Sequence, residues 1–134
     1  MSPKQGVRNP PSNKEGLQAL KDLLNSYENN QEVNKLTEQT AVKYCLQLLH
    51  EKASGNSVEV RIPPYAAVQV IPGISHKRGT PPAVIEMSAR IWIDLAVGNI
   101  NWTTTKKSGV ISASGERADL SAFLPLISAQ DLAN

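Results

Sequence analysis

The sequence has 134 residues, of which 40% are hydrophobic and 19% are charged, with 14 Lys and Arg against 12 Asp and Glu. This composition is typical of one soluble globular domain, and the nearly balanced charge argues against electrostatic binding to nucleic acid. A single cysteine excludes an internal disulfide. No apolar run approaches the ~20 residues of a transmembrane helix, and the N-terminus is polar. We therefore expect a cytoplasmic protein with no integral membrane association and no nucleic-acid partner.

The N-terminal part predicts a polar tail followed by a helix. Residues 1–11 contain three prolines and a glycine and are expected to be flexible, which leaves residues 12–134 as one domain. Ser12 and Glu15 have the spacing of a capping box, in which each side chain satisfies a free N–H of the first turn. Asn29 and Asn30 are suitable ends for this helix, because asparagine tolerates the left-handed conformation.

A second helix is expected to begin near Thr37 and to stop before Gly55. Its apolar residues recur at helical spacing, so that they form one stripe that faces a core. The stripe consists of Ala41, Tyr44, Cys45, Leu48 and Leu49.

The pattern then changes to the two-residue period of a strand. Val58, Val60 and Ile62 alternate with charged residues, which predicts a half-buried strand. Pro63 and Pro64 interrupt it and indicate an edge, a bulge or a crossing between strands. A strand over 65–71, a loop over 72–82 and a short strand over 83–87 are expected to follow.

The last third of the chain predicts short elements. Ser88 and Asn101 are each placed to cap a short helix, and Gly98 and Gly109 to end them. A strand over 110–114 and a final helix over 118–127 complete the order, with Pro125 limiting the regularity of that helix. The sum of these elements favours an α+β layer with helices packed on one sheet.

Residues with catalytic potential are scarce. His50 lies on the polar edge of the second helix and is interpreted as a surface residue, and Cys45 is interpreted as a small core residue. No cluster of His and carboxylates has zinc spacing, and neither a G-x-S-x-G elbow nor a phosphate-binding G-x-x-x-x-G-K loop is present. The sequence therefore predicts no catalytic residue, no metal and no cofactor.

Two polar groups of residues leave alternatives open. His76, Lys77 and Arg78 either meet an anionic group or form a solvated basic turn. Three further polar residues lie within apolar strands, where they form either a satisfied buried network or contacts to a ligand head group. They are Arg61, Gln69 and Glu86.

The motifs V-I-E-M-S-A-R-I-W-I-D-L-A-V-G-N-I-N-W and S-G-V-I-S-A-S-G-E-R-A-D-L carry a family resemblance. They are similar to the sterol carrier protein family, in which a helix ending L-A-x-G leads through a short helix to a G-x-[IVL]-x-[IVL]-x-G strand. Leu95, Ala96 and Gly98 match the first motif. The upstream R-I-P-P-Y-A-A-V-Q and H-K-R-G-T-P-P resemble a bacterial branch of that family. The resemblance covers about residues 37–126.

The resemblance implies a single sheet of about five strands covered by helices, with an apolar cavity between them. The implied partner is a fatty-acyl chain, an acyl-CoA or a sterol-like molecule, and the implied role is non-enzymatic lipid binding or transfer. The residues expected on the apolar wall are Val68, Val70, Val84, Ile91, Trp92, Leu95 and Ile111. Those expected at the polar head group are Arg61, Gln69, His76, Arg78 and Glu86.

Two other functions remain open from the sequence. The same fold without cargo would serve as a non-catalytic interaction or oligomerisation module, with a homodimer as one arrangement. An enzyme acting on a small polar substrate through His76, Glu86 and Arg61 is the third hypothesis.

Overall fold

A computed structural model of the chain describes residues 6–73, 83–115 and 117–133. The elements within these ranges are α1 (Asn13–Glu28), α2 (Lys35–Lys52), β1 (Val58–Ile62), β2 (Ala66–Val70), β3 (Ala83–Glu86), α3 (Ala89–Ala96), α4 (Trp102–Lys107), β4 (Ser112–Ser114), a 3₁₀ turn (Ser121–Phe123) and α5 (Ala129–Ala133). The predicted α+β fold with helices on one sheet is confirmed. In the described part of the chain the sheet has four strands, against about five expected.

The first two helices begin where side chains satisfy their free N–H groups. The predicted capping box between Ser12 and Glu15 is complete, with both reciprocal hydrogen bonds formed. The second helix begins two residues before the predicted Thr37. Its cap is Asn34, whose side-chain oxygen accepts a hydrogen bond from the Thr37 N–H at 3.1 Å.

The N-terminal segment before α1 is anchored at one point. Val7 is buried, and its N–H donates to Oε1 of Gln47 on α2 at 3.1 Å. The flexibility expected of residues 1–11 stays a prediction.

The sheet has the order β2-β1-β3-β4, with β1 antiparallel to β2 and parallel to β3, and β4 antiparallel to β3. Alternate side chains of these strands share a face, so the register sorts them into an apolar face and a polar one. The buried residues of the apolar face are Val58, Val60, Ile62, Val68, Val70 and Ile85. In the described part of the chain the helices cover this face, which agrees with the half-buried strand that the two-residue pattern of β1 predicted.

Pro63 and Pro64 form the turn of a tight hairpin between β1 and β2. The Tyr65 N–H donates to the Ile62 carbonyl across this turn at 2.9 Å, and the Pro63–Pro64 peptide bond is cis. The predicted interruption at these prolines is confirmed, and it takes the form of a turn that leads into the edge strand β2. A turn suits them because it does not require the N–H groups that proline lacks.

The prediction of a helix over 118–127 is wrong, because the only helical part of this segment is the 3₁₀ turn Ser121–Phe123. Leu124 is extended, with φ −105° and ψ 145°, as expected for a residue that precedes a proline. The N–H groups of Leu126 and Ile127 then donate to the carbonyl of Ala96, which ties this segment to the end of α3. The helix α5 was not predicted. It begins after Ser128, whose Oγ accepts a hydrogen bond from the Asp131 N–H at 3.1 Å.

Glu38 joins three parts of the fold through its two carboxylate oxygens. The Tyr27 hydroxyl at the end of α1 donates to Oε2 at 2.7 Å, and the Tyr65 hydroxyl after the hairpin turn donates to Oε1 at 2.8 Å. Burial, followed by the hydrogen bond to Glu38, raises the pKa of Tyr27 and raises the pKa of Tyr65 to about 12. The Arg90 guanidinium lies 4.1 Å from the centre of the Tyr27 ring, in cation–π contact.

Candidate functional site

The residues expected to line a cavity between the sheet and the helices lie mostly in the packed core. Their exposed fractions are 3% for Val68, 0% for Val70, 0% for Trp92, 1% for Leu95 and 6% for Ile111. Residues that border a hollow wide enough for water keep accessible surface, and these keep almost none. In the part of the chain that the structure describes, the layer between sheet and helices is therefore filled by the protein's own side chains.

The other two residues of the expected wall are half-buried. Val84 lies beside Ile85 in β3, so its side chain lies on the polar face of the sheet, away from the helices. Ile91 lies in the first turn of α3, where its N–H donates to the Ser88 side chain.

The residues expected at a polar head group lie on the open face of the sheet or outside the described residues. Arg61, Gln69 and Glu86 are exposed and share that face. Arg61 donates to the carboxylate of Glu59 at 2.8 Å and pairs in register with Glu86 on the neighbouring strand. His76 and Arg78, with the loop that carries them, lie outside the described residues.

A cleft of about 340 Å³ opens away from the sheet residues described above. It lies between the end of α3, the first turn of α4 and the segment around the 3₁₀ turn. Its lining residues are Leu95, Gly98, Asn99, Ile100, Asn101, Trp102, Thr103, Ser121, Leu124 and Pro125.

The sequence builds one wall of this cleft by ending α3 abruptly and starting α4 soon after. Gly98 follows the helix with φ +84°, and the Asn99 N–H returns to the Asp94 carbonyl at 2.8 Å, as in a Schellman motif. Asn101 then caps α4, its side-chain oxygen accepting from the Thr104 N–H at 3.1 Å. The predicted stop at Gly98 and the predicted cap at Asn101 are both confirmed.

The second wall comes from the segment that was expected to be helical. The Leu126 N–H donates to the Ala96 carbonyl at 2.7 Å and holds Leu124 and Pro125 against the end of α3. Asp119 accepts from the Ser121 N–H at 2.8 Å, and hydrogen bonding with Ser121 lowers the pKa of the Asp119 carboxyl. A hydrogen-bonded turn thus fixes the rim of the cleft.

The cleft combines an apolar floor with neutral polar groups. Its apolar side chains are Leu95, Ile100, Trp102, Leu124 and Pro125. Its polar side chains are Asn99, Asn101, Thr103 and Ser121. None of the described lining residues is charged, so the arrangement suits an apolar molecule with a hydroxyl, ester or amide group better than an anion.

A family model described as "Bacterial SCP ortholog", where SCP denotes sterol carrier protein, matches residues 34–126. This match covers more than half of the chain and includes both walls of the cleft. The chain belongs to the bacterial branch of the sterol carrier protein family. No curated protein matches it. The helix α1 and the short α5 lie outside the region that defines the family.

Of the expected site residues that the structure describes, Leu95 alone lines the cleft. Asn101 and Gly98 were predicted only as helix signals, and Ile100, Leu124 and Pro125 were not predicted as site residues. The alternation of polar and apolar residues in N-I-N-W was the available signal for the first of these. Leu124 and Pro125 gave no such signal, because their position depends on contacts with α3.

Other chemical groups in the described residues offer no second centre. Cys45 is fully buried, and burial raises its pKa to about 12, so its thiol is protonated near neutral pH. No group of three or more His, Cys, Asp or Glu side chains in the described part of the chain could hold a metal ion. No described helix is both long enough and apolar enough to cross a membrane.

Proposed function

We propose that this protein binds a small apolar molecule in the cleft between α3, α4 and the 3₁₀ segment, and that it acts as a non-enzymatic carrier. The observation that supports the proposal is the cleft itself, which lies in the matched region of a carrier family. Its volume of about 340 Å³ lies at the lower end of the ~300–1,000 Å³ typical of ligand pockets. A single short acyl chain suits this size better than a sterol.

The lining residues support a neutral polar head group for the ligand. Asn99, Thr103 and Ser121 offer amide and hydroxyl groups at the rim, while the described part of the lining contributes no cation to neutralise a carboxylate. Arg61 and Glu86 lie side by side on the open face of the sheet, and Arg61 already forms a salt bridge with Glu59. A fatty alcohol or an ester is therefore the proposed cargo class, with its chain against Trp102 and Leu124.

Tryptophan fluorescence tests this proposal directly. Decanol and sodium decanoate are titrated into the protein, and the emission of Trp102 is expected to change saturably with decanol at micromolar concentrations. Trp92 is fully buried in the core, so Trp102→Phe is expected to remove the response while leaving the second tryptophan signal. Absence of saturable binding by either probe would overturn the carrier function, and tighter binding of decanoate would overturn the neutral head group.

A matched pair of variants locates the site. Thr103 and Thr104 are neighbouring exposed residues of α4, and Thr103 alone lines the cleft. Thr103→Phe is expected to weaken decanol binding by filling the cleft, while Thr104→Phe leaves it unchanged. Equal effects of the two substitutions would exclude the cleft as the binding site.

The filled layer between sheet and helices supports a second candidate function. A module without cargo needs no hollow interior, and Val70, Trp92 and Ile85 have no accessible surface. This function predicts that native mass spectrometry of freshly purified protein shows the bare chain mass. A discrete added mass of lipid would favour the carrier.

A further inference from the structure

The hydrogen bonds of β1 determine which groups of β2 face away from the sheet. Within β1, the Arg61 carbonyl accepts a hydrogen bond from the Met87 N–H, just beyond β3, at 3.2 Å. The main-chain groups of the odd-numbered residues of β1 therefore face β3, and those of the even-numbered residues face β2. Since Val60 pairs with Val68, the even-numbered residues of β2 are directed toward β1.

Ala67 and Gln69 consequently direct their N–H and C=O groups away from the sheet. The position of His50 agrees with this assignment, because its Nδ1 lies 3.4 Å from the outward Gln69 carbonyl. In the described part of the chain, both groups of Ala67 and the N–H of Gln69 have no hydrogen-bond partner. Among the described residues, the outer edge of β2 therefore has three unpaired main-chain groups, while the next outward group, the Ile71 N–H, already donates to the Ala53 carbonyl at 2.6 Å.

The two edges of the sheet differ in how far they are protected against pairing. The edge strand β4 has three residues, and such short edges pair poorly with other chains. The edge strand β2 has five residues, A-A-V-Q-V, which include neither a charge nor a proline. Charges and prolines are the usual protection of an exposed edge, so β2 is the edge open to pairing.

We propose that β2 pairs antiparallel with β2 of a second copy of this chain, about a two-fold axis at Val68. In this register Ala67 lies opposite the partner's Gln69, and the outward groups of these two residues form a hydrogen-bonded pair. The symmetry repeats this pair on the other side of the axis, so every outward donor of the strand meets an acceptor. An uncharged strand brings no like charges together, which favours a second copy over a charged peptide.

The proposal is independent of ligand binding, because the cleft lies around α4 and β2 does not contribute to it. The interface consists of few main-chain hydrogen bonds, since Val68 and Val70 are already covered by the chain's own helices. We therefore expect a reversible, concentration-dependent dimer.

Cysteine pairing tests the register. In a hydrogen-bonded antiparallel pair the Cα atoms lie about 5.5 Å apart, within the range of a disulfide. Mild oxidation of a mixture of Ala67→Cys and Gln69→Cys is expected to give disulfide-linked dimers, while each variant alone gives few, because identical positions are offset along the strands. Cys45 is fully buried and does not compete. No cross-link in the mixture, or equal cross-linking in each variant alone, would overturn the proposal.

Sedimentation of the full chain provides the second test. Gln69→Lys places a charge at the interface and is expected to raise the dimer dissociation constant at least roughly tenfold. Ser112→Lys adds the same charge to the same exposed face at the opposite edge of the sheet, and it should leave the constant unchanged. A wild-type chain that stays monomeric at all concentrations, or equal effects of both variants, would overturn the second-copy assignment, whatever the decanol titration shows.

Discussion

The packed layer and the cleft are two regions of one helical layer with opposite properties. Where β1 and β2 meet α2 and α3, the facing side chains have almost no accessible surface. Around α4, where the helices are short and the chain turns at Gly98 and Pro125, a cleft of about 340 Å³ opens. Within the described residues, this cleft therefore lies where elements end, and the packed layer lies where they run side by side.

The physical reason lies in the lengths of the elements. A long helix such as α2 contributes many buried apolar side chains, which pack closely against the neighbouring elements. The short α4, which has six residues, and the 3₁₀ turn Ser121–Phe123 contribute few side chains each. Polar residues at their ends, such as Asn101 and Ser121, line the space between them without filling it.

The largest effect is expected from truncating the core tryptophan. Trp92→Ala removes a fully buried ring whose Nε1 donates to the Val42 carbonyl at 3.4 Å, and it should lower the free energy of unfolding by about 3–5 kcal/mol. Leu124→Ala, in the half-buried wall of the cleft, should cost about 1 kcal/mol yet weaken decanol binding. Urea unfolding and the fluorescence titration measure the two quantities. A larger stability loss for Leu124→Ala would contradict the contrast between the regions.

The same glycine-to-alanine substitution in each region has a smaller and separable effect. An added Cβ at Gly16 would collide with the ring of Tyr44, so Gly16→Ala should destabilise by about 2 kcal/mol despite its higher helix propensity. Gly98 has open space up to Pro125 at 3.4 Å, and Gly98→Ala should cost about 1 kcal/mol through its positive φ. Thermal unfolding compares them, and Gly98→Ala alone is expected to alter decanol binding.

The smallest effect on stability at neutral pH is expected from removing a tyrosine hydroxyl that donates to Glu38. The raised pKa of Tyr65, about 12, lies above the ~10 of a tyrosine in an unfolded chain. The Tyr65 hydroxyl therefore stabilises the folded state fully below pH ~10, and this stabilisation is lost as the pH rises toward 12. Tyr65→Phe is expected to reduce this alkaline loss in urea titrations between pH 8 and 12. An unchanged pH profile in the variant would contradict a role for this hydroxyl.

The sequence by itself determined the local structure wherever a side chain bonds its own backbone nearby. Ser12 with Glu15, Ser88 and Asn101 mark the starts of three helices, and each forms the expected cap. The alternation in β1 predicted which residues are buried, because neighbouring side chains of a strand lie on opposite faces. The family also followed from residues that stand together in the chain.

The tertiary structure alone decided where space remains and which groups are left unpaired. Leu95 belongs to the cleft because Leu124 and Pro125, distant in sequence, are held against α3 by the carbonyl of Ala96. β2 is an edge strand because its only neighbour in the described sheet is β1, which pairs with β3 on the opposite side. Packing and strand order are sums over contacts between distant residues, so local patterns cannot fix them, whereas caps and periodicity depend on neighbours a few residues away.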